Sequence, residues 1–227
     1  AGTSSMRTYS CTTFMSKEPV VGSFADGIVS ATSLVDVGTY FFTGAPGAGK
    51  TTLIGTICDI PEYKGSLLVL SAGGGLNALR DRDDVAVRNV DSWKTISKDA
   101  PDYLRKTKHP FKWVSIDLAT EAYNICLAEV VAEGSATKAG RPTLEARGIA
   151  NDRFVQMVRD YRVLAEQHGI NVIFTSHTQE TKDDDSGMIL VRPNLTPGTL
   201  STVLGIVDVA TYLEIKKGKR TLYLVGN

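Results

Sequence analysis

The chain is 227 residues long, which favours one large domain over two full ones. Hydrophobic residues make up 42% of it and charged residues 22%, and this composition excludes a disordered chain, a collagen-like chain and a disulfide-rich scaffold. Because 25 basic residues balance 25 acidic ones, any contact with nucleic acid requires a local basic surface.

The three cysteines, Cys11, Cys58 and Cys126, lie far apart without Cys-x-x-Cys spacing. This pattern predicts reduced thiols in a cytoplasmic protein and no structural zinc. No apolar run reaches the ~18 residues of a membrane span, and the N-terminus lacks an export signal pattern. We therefore expect no membrane partner.

Strands and helices are predicted to alternate along the chain. Short apolar and β-branched runs predict strands over 39–43, 67–70, 113–116, 171–175, 209–215 and 221–225. Apolar residues at helical spacing predict helices over 120–133 and 152–168, and residues 53–58 resemble an apolar helix face. This alternation predicts an α/β fold with a mostly parallel central sheet flanked by helices.

The last two predicted strands are joined by residues 216–220, which are too few for a crossover helix. They should therefore form an antiparallel hairpin at the C-terminus. Two long segments, 133–150 and 179–200, are rich in Gly, Pro, Thr and charged residues and are predicted to be functional loops.

The first predicted strand runs directly into a glycine-rich loop. That loop consists of Gly44, Ala45, Pro46, Gly47, Ala48, Gly49, Lys50, Thr51 and Thr52. It matches the P-loop pattern GxxxxGK[ST], in which backbone N–H groups surround phosphates. We expect Lys50 to reach the β- and γ-phosphates of ATP, and the Thr51 hydroxyl to ligate Mg²⁺. A plain strand-to-helix turn is the alternative.

The strand 113–116 ends in Asp117, as the second magnesium-holding element of a P-loop enzyme requires. Asp117 is expected to hold Mg²⁺ through water; alternatively, it caps the following helix. The strand 171–175 is followed by Ser176 and His177, and His177 is either a sensor of the γ-phosphate or an ordinary loop histidine.

The hairpin tip carries Lys216, Lys217, Lys219 and Arg220. Such a basic tip can reach the γ-phosphate bound by a neighbouring subunit, and we assign this catalytic role to Lys217 and Lys219. The alternative is a charged edge that prevents strand addition.

The order of these motifs resembles the phage-type RecA-like nucleotide-binding proteins, and most closely the small Sak-class recombination ATPases. The resembling stretches are GAPGAGKTT, VSIDLATEAY, NVIFTSHTQE, RPNLTPGTL and VDVATYLEIKKGKRTLYLV. The resemblance covers Phe24 to Val225. It implies that residues 24–227 form a single RecA-like domain after an N-terminal extension over 1–23, of which 1–5 resemble a cloning remnant.

The resemblance also implies function. It implies ATP and single-stranded DNA binding, assembly into a homo-oligomeric ring or filament, and homologous recombination or strand annealing in the host cytoplasm during phage DNA metabolism. A single-strand-binding protein is a further possible partner.

One feature departs from this family. RecA-like enzymes usually place a glutamate after the second strand, whereas Leu70 to Gly74 contain no acid. Glu121 lies about one helical turn beyond Asp117 and is the candidate replacement base, with an ordinary helix-face glutamate as the alternative. Hydrolysis is therefore expected to be slow or to depend on a partner.

By the same resemblance, DNA is expected at the two long loops. The basic candidates there are Lys138, Arg141, Arg147, Lys182 and Arg192, with Arg153 just beyond the first loop. The alternative for each is a solvated surface cation, and Asp183 to Asp185 would oppose phosphate binding. Trp93 and Trp113 have no ladder of aromatic neighbours and are expected to be packing residues.

Three other functions share these motifs. A nucleotide-gated binding module would bind ATP without hydrolysing it, a ring helicase would use ATP to unwind duplexes, and a small-molecule kinase would transfer the phosphoryl group.

Overall fold

The centre of the protein is a mostly parallel β-sheet. The computed structural model describes residues 37–106, 108–135, 141–182 and 189–225, all within one unit of the chain that begins at Val35. Its described strands are Thr39–Gly44 (β1), Leu67–Ser71 (β2), Val85–Asn89 (β3), Trp113–Asp117 (β4), Asn171–Lys182 (β5), Ile189–Pro193 (β6), Val209–Lys216 (β7) and Lys219–Val225 (β8). The predicted domain start at residue 24 lies outside the described residues.

The strands pair in the order β3-β2-β4-β5-β1-β7-β8, and β6 pairs with β5 outside this path. Every pairing from β3 to β7 is parallel, whereas β7–β8 and β5–β6 are antiparallel. The predicted α/β fold with a mostly parallel sheet and a C-terminal antiparallel hairpin is confirmed. The order places β5 between β1 and β4, so the carboxyl ends of these three strands lie side by side.

Five α-helices flank the sheet in the described part of the chain. They are Lys50–Gly55 (α1), Ala100–Lys106 (α2), Ala119–Val130 (α3), Leu144–His168 (α4) and Pro197–Ile206 (α5). Short 3₁₀ turns cover Thr56–Asp59, Pro61–Tyr63 and Leu76–Leu79, and π-helical turns cover Thr95–Asp99 and Val131–Ser135. None of these helices is long and apolar enough to cross a membrane.

The hydrophobic core has two parts, one on each face of the sheet. The larger part joins the sheet to α3, α4 and α5, and the fully buried Phe41, Phe154, Tyr161 and Phe174 belong to it. The smaller part lies under α1 and includes Ile54. Burying one such aromatic side chain contributes ~1.5–3 kcal/mol, so these contacts fix how the helices sit on the sheet.

The first predicted loop, 133–150, is largely wrong. Residues 131–135 continue α3 as a π-helical turn, and α4 begins at Leu144, where the Thr143 hydroxyl accepts a hydrogen bond from the Ala146 N–H at 2.9 Å. Ala146 and Ala150 are fully buried. Their small side chains let α4 pack closely on α3, and this close packing explains why a segment with a loop-like composition is helical.

The second predicted loop, 179–200, is also largely wrong over its described residues, of which only 194–196 lie outside strands and helices. The strand β5 continues to Lys182, β6 returns antiparallel to it, and α5 begins at Pro197. Thr178 to Lys182 pair with β6 rather than with the central strands, so this β5–β6 hairpin lies beyond the carboxyl edge of the central sheet. The triple aspartate 183–185 lies outside the described residues.

A partly exposed polar contact ties the amino end of β1 to α4 and to the residue before β7. The Asp208 carboxylate accepts hydrogen bonds from the Thr39 N–H and hydroxyl, both at 2.8 Å, and from Arg162 Nη1 at 2.8 Å. Burial by itself would raise the pKa of Asp208, but the bonds from Thr39 and Arg162 outweigh it and hold the pKa below its ordinary value. The contact therefore stabilises the fold when Asp208 is ionised.

We predict that Asp208→Asn lowers the free energy of unfolding by about 1–2 kcal/mol at pH 7, a range reduced for the partial exposure of the carboxylate. The pKa of Asp208 is lower in the folded chain than in the unfolded chain, where it is about 3.9. The stabilisation by Asp208 is therefore fully present at pH values above the unfolded-state pKa and is lost as the pH falls through the folded-state pKa. Urea denaturation at pH 7 and pH 3.5 measures both effects. The control is Glu166→Gln, which removes the more exposed partner of Arg162. An equal loss of unfolding free energy in Asp208→Asn at both pH values would contradict the prediction.

Candidate functional site

The glycine-rich loop after β1 has the backbone shape of an anion-binding loop. Gly47 and Gly49 have φ values of 75° and 100°, in the left-handed region where side chains other than glycine are strained. Gly49 occupies the N-cap of α1 and has no side chain that could accept a capping hydrogen bond. The first N–H groups of that helix therefore have no side-chain cap. The loop 44–52 can therefore direct backbone N–H groups at a phosphate.

Lys50 is held inside this loop. Its side chain is 4% exposed, and its ammonium donates to the Gly44 carbonyl at 2.8 Å and to the Ala45 carbonyl at 3.1 Å. Burial lowers the pKa of Lys50, while the nearby Asp117 carboxylate opposes that shift. The cation is therefore poorly solvated, and it gains a counterion when an anion enters the loop.

His177 lies directly beside the loop. Its position in β5 is level with Gly44 in β1, and its Nδ1 lies 3.1 Å from the Lys50 ammonium. Burial and the positive charge of Lys50 together hold the pKa of His177 below its ordinary value. A neutral ring that accepts a hydrogen bond from Lys50 at Nδ1 carries its proton on Nε2, which is then a hydrogen-bond donor.

Asp117 stands at the end of β4 and bonds to both neighbouring elements. Its Oδ2 accepts from the Thr51 hydroxyl at 2.9 Å, and its Oδ1 accepts from the Thr175 hydroxyl at 2.5 Å. The residue is only 2% exposed. The alternative reading as a helix cap is wrong, because Leu118 occupies the N-cap of α3 and no side chain caps that helix.

These groups surround one cavity of about 310 Å³ at the carboxyl edge of the sheet. The lining residues are Gly47, Gly49, Lys50, Thr51, Thr52, Gly73, Gly74, Gly75, Ala78, Asp117, Leu118, His177 and Arg220. The Thr51 hydroxyl and the Asp117 carboxylate supply oxygen atoms to this cavity, and Lys50 and Arg220 supply cations. The cavity therefore fits a polyphosphate together with a magnesium ion, whose preferred ligands are oxygen atoms.

The turn after β2 forms the wall facing the P-loop and contains no acid. Gly74 and Gly75 have φ values of 69° and 81°, so the chain turns sharply away from β2. Ser71 is level with Asp117 in the neighbouring strand, and its buried hydroxyl has no hydrogen-bond partner in the described part of the chain. The wall lacks a general base of its own.

Glu121 lies behind this wall. A Cβ atom built on Gly73 would meet Glu121 Cγ at 3.1 Å, and Asn124 donates to the Glu121 carboxylate at 3.3 Å. The side chain is near His177, whose pKa its charge tends to raise, but it does not line the cavity. Its role as a replacement base stays a prediction.

Arg220, one of the four basic residues predicted at the hairpin tip, lines the cavity of its own chain. Lys217 and Gly218 have φ values of 50° and 75°, and their tight turn brings β8 back along β7. Arg220 Nε then donates to the Ala48 carbonyl at 3.1 Å, and the side chain lines the cavity. Lys217 and Lys219 are exposed and do not line it, so their action on a neighbouring subunit stays a prediction.

Three of the five predicted DNA-binding residues lie in regular elements. Arg147 is exposed in the first turns of α4 rather than in a loop, and Arg192 is exposed in β6. Lys182 ends β5, and Arg141 precedes α4 with an exposed side chain. Lys138 lies outside the described residues.

Arg153 differs from these candidates because it is already paired. Its guanidinium donates two hydrogen bonds to the Glu133 carboxylate, at 3.0 and 2.8 Å, and Glu129 lies 4.0 Å away. Its charge is therefore largely compensated within the chain.

Comparison with known families gives one match. Residues 39–227 match the family model described as an AAA domain, a span that includes every residue placed around the cavity. No curated protein matches the sequence.

We predict that Thr175→Val raises the Mg²⁺ concentration required for nucleotide binding by about 10- to 100-fold, because it removes the donor that orients Asp117. Thr175 is fully buried, and valine keeps its volume. A Mg²⁺ titration of fluorescent ATP-analogue binding measures the change. Thr175→Ser keeps the hydroxyl and should stay close to wild type, whereas an unchanged midpoint in the valine variant would contradict the prediction.

We further predict that Arg220→Ala weakens binding of the same analogue roughly fivefold or more, since a charged hydrogen-bond donor contributes ~1 kcal/mol or more even at an exposed site. Because Arg220 acts within its own chain, the loss should appear at protein concentrations too low for assembly. Lys216→Ala removes an equally exposed charge from the same hairpin without touching the cavity, and an equal loss in that variant would show a general charge effect.

Proposed function

Because the chain belongs to the AAA domain family of P-loop ATPases, we propose that it is a Mg²⁺-dependent ATPase that binds single-stranded DNA as an oligomer and promotes strand annealing or exchange. The observation that carries the ATPase part is the 2.9 Å contact between Thr51 and Asp117 beside a buried Lys50. This contact joins the two halves of a magnesium site at the mouth of an anion-binding loop. The DNA-related part rests on the resemblance to phage RecA-like proteins and on the exposed arginines.

Hydrolysis in this site is the in-line attack of water on the γ-phosphorus of ATP. The new P–O bond forms to the water oxygen, the bond to the β–γ bridging oxygen breaks, and ADP leaves with the negative charge. Lys50 neutralises negative charge on the transferring phosphoryl group. The neutral His177 can donate a hydrogen bond from its Nε2–H group to a γ-phosphate oxygen. Magnesium, held by Thr51 and through water by Asp117, would supply further neutralisation of the phosphate oxygens.

The proton of the attacking water needs an acceptor. With no acid in the turn after β2 and Asp117 assigned to the magnesium ion, Glu121 is the candidate carboxylate, and a shift of its side chain past Gly73 would bring it to the cavity. Catalysis then depends mainly on positioning and electrostatics, and turnover by the chain alone should be slow.

Single-stranded DNA binding is supported by exposed cations near the carboxyl edge of the sheet. The helix α4 leads into the amino end of β5, so its N-terminal turns with Arg147 lie toward the edge that holds the cavity. Arg192 lies on the β5–β6 hairpin, which extends beyond the same edge. Nucleotide and DNA would then both act on elements at this edge, namely α4 and the β5–β6 hairpin. A single-strand-binding protein is a further candidate partner.

Assembly into a ring or filament would add residues to the site. Lys217 and Lys219 are exposed at the tip of the β7–β8 hairpin and point to no group of their own cavity. In an oligomer they could reach the γ-phosphate bound by the next subunit, which is how a second subunit would control hydrolysis.

The missing acid favours one alternative. A nucleotide-gated module that binds ATP without hydrolysing it, and that loads a replication or annealing partner, would need Lys50, Thr51 and Asp117 but no general base. A ring helicase shares all of these residues and is distinguished by directional unwinding of a forked duplex.

We predict that single-stranded DNA stimulates steady-state ATP hydrolysis severalfold more than duplex DNA does, and that Lys50→Ala abolishes turnover. Arg147→Ala combined with Arg192→Ala should remove most of the stimulation and leave the basal rate unchanged, since neither residue lines the cavity. A phosphate-release assay with each DNA measures both rates. Tight nucleotide binding without turnover under every condition would contradict the proposal and favour the nucleotide-gated module.

A further inference from the structure

A second surface, which shares no lining residue with the nucleotide cavity, combines stacked rings with exposed cations. The rings of Tyr103 and His109 have centroids 5.9 Å apart at 30°, and those of His109 and Phe111 have centroids 5.6 Å apart at 21°. We call these three rings the aromatic ladder. The ladder lies between α2 and the amino end of β4, so six residues of extended chain, ~20 Å, separate Phe111 from Asp117.

The aromatic ladder is held in place by the backbone. The His109 ring bonds to the Leu104 carbonyl through Nε2 at 3.0 Å and accepts from the Phe111 N–H through Nδ1 at 3.2 Å. The middle ring therefore has both nitrogens engaged and little freedom to rotate. Because the middle ring is held by the backbone and both neighbouring rings stack on it, ordering the ladder around a planar ligand costs less side-chain entropy than ordering three unattached rings.

An apolar cavity of about 350 Å³ opens beside the ladder. Tyr103 and Phe111 form part of its wall together with Leu68 and Leu70, and Arg88 and Asp99 contribute a donor and an acceptor. Tyr103 is 42% exposed, so it presents ring surface to solvent as well as to the cavity. The cavity thus accepts a flat heteroaromatic group with polar edges.

The chain around the ladder is basic. From 105 to 112 it carries four cations and no acid, namely Arg105, Lys106, Lys108 and Lys112, all exposed. Asp102 lies 3.8 Å from Arg105 and 3.4 Å from Lys106, whereas Lys108 and Lys112 form no ion pair within the described ranges. These two lysines and Arg88 can therefore meet the phosphates of a ligand.

We propose that this surface is a second binding site for single-stranded nucleic acid. One base stacks on Tyr103, the next enters the cavity between Tyr103 and Phe111, and the phosphates between them lie against Lys108 and Lys112. In a single strand, flat bases alternate with phosphates, and on this surface aromatic rings lie beside cations that can bind them. An acidic peptide would supply the negative charge but no flat groups to stack on the rings. The ligand class rests on the proposed function, but the site is separate from Arg147, Arg192 and the nucleotide.

The test is binding of a fluorescein-labelled 30-mer of oligothymidylate to the full chain without nucleotide, followed by fluorescence anisotropy at several salt concentrations. Tyr103→Ala should weaken binding about tenfold, and Tyr103→Phe, which keeps the ring, should bind within about twofold of wild type. Lys108→Ala with Lys112→Ala should weaken binding and reduce the salt slope by about 1.4. Lys64→Ala with Arg159→Ala removes the same charge from exposed positions elsewhere and serves as the matched control.

The outcomes separate this site from the proposed function. Nucleotide-independent binding that requires Tyr103, without any DNA stimulation of hydrolysis, would support the site and refute the recombination ATPase. DNA-stimulated hydrolysis with wild-type binding by both the Tyr103→Ala and the double lysine variants would overturn the site alone. Failure of the wild-type chain to bind, or displacement of the oligonucleotide by a polyglutamate peptide of equal charge, would also overturn it.

Discussion

The site depends on one chain of hydrogen bonds that crosses three neighbouring elements. Thr51 at the start of α1 and Thr175 in β5 both donate to the Asp117 carboxylate at the end of β4. This chain exists only because the sheet order places β5 between β1 and β4. The fully buried hydroxyl of Thr175 holds one carboxylate oxygen, so the other is directed toward the P-loop. Sheet order, rather than local sequence, therefore determines the geometry of the proposed magnesium site.

The same sheet order explains the electrostatics of the cavity. His177 is level with Gly44, and burial beside Lys50 holds its pKa below the ordinary value, so a neutral donor faces the phosphate position. Arg220 arrives from the opposite side because β8 folds back beside β7. The aromatic ladder precedes the amino end of β4, and the cavity beside it shares no lining residue with the nucleotide cavity.

Local motifs were readable from the sequence, whereas contacts between distant elements were not. The α/β class follows from short patterns and is confirmed. The P-loop and Asp117 were also predicted from short patterns, and the structure places them around one cavity. The role of Thr175 was missed, and Arg220 was predicted only as part of a hairpin tip that reaches a neighbouring subunit, because both contacts depend on which strands are neighbours. The start of α4 was missed because Gly, Ala and Thr suggest a loop, although Ala146 and Ala150 are buried against α3. The composition of this segment indicates only its local conformational preference for a loop. Packing against α3 overrides that preference and makes the segment helical.

The most direct measurement is equilibrium binding of a fluorescent ATP analogue as a function of Mg²⁺ in the wild-type chain and in Asp117→Asn. If the carboxylate held by Thr51 and Thr175 completes the ion site, Mg²⁺ should strengthen binding in the wild type, and this enhancement should be lost in the variant while metal-free binding persists. An unchanged Mg²⁺ dependence in Asp117→Asn would show that the ion is held elsewhere, and the hydrogen-bond chain would then not be the centre of the site.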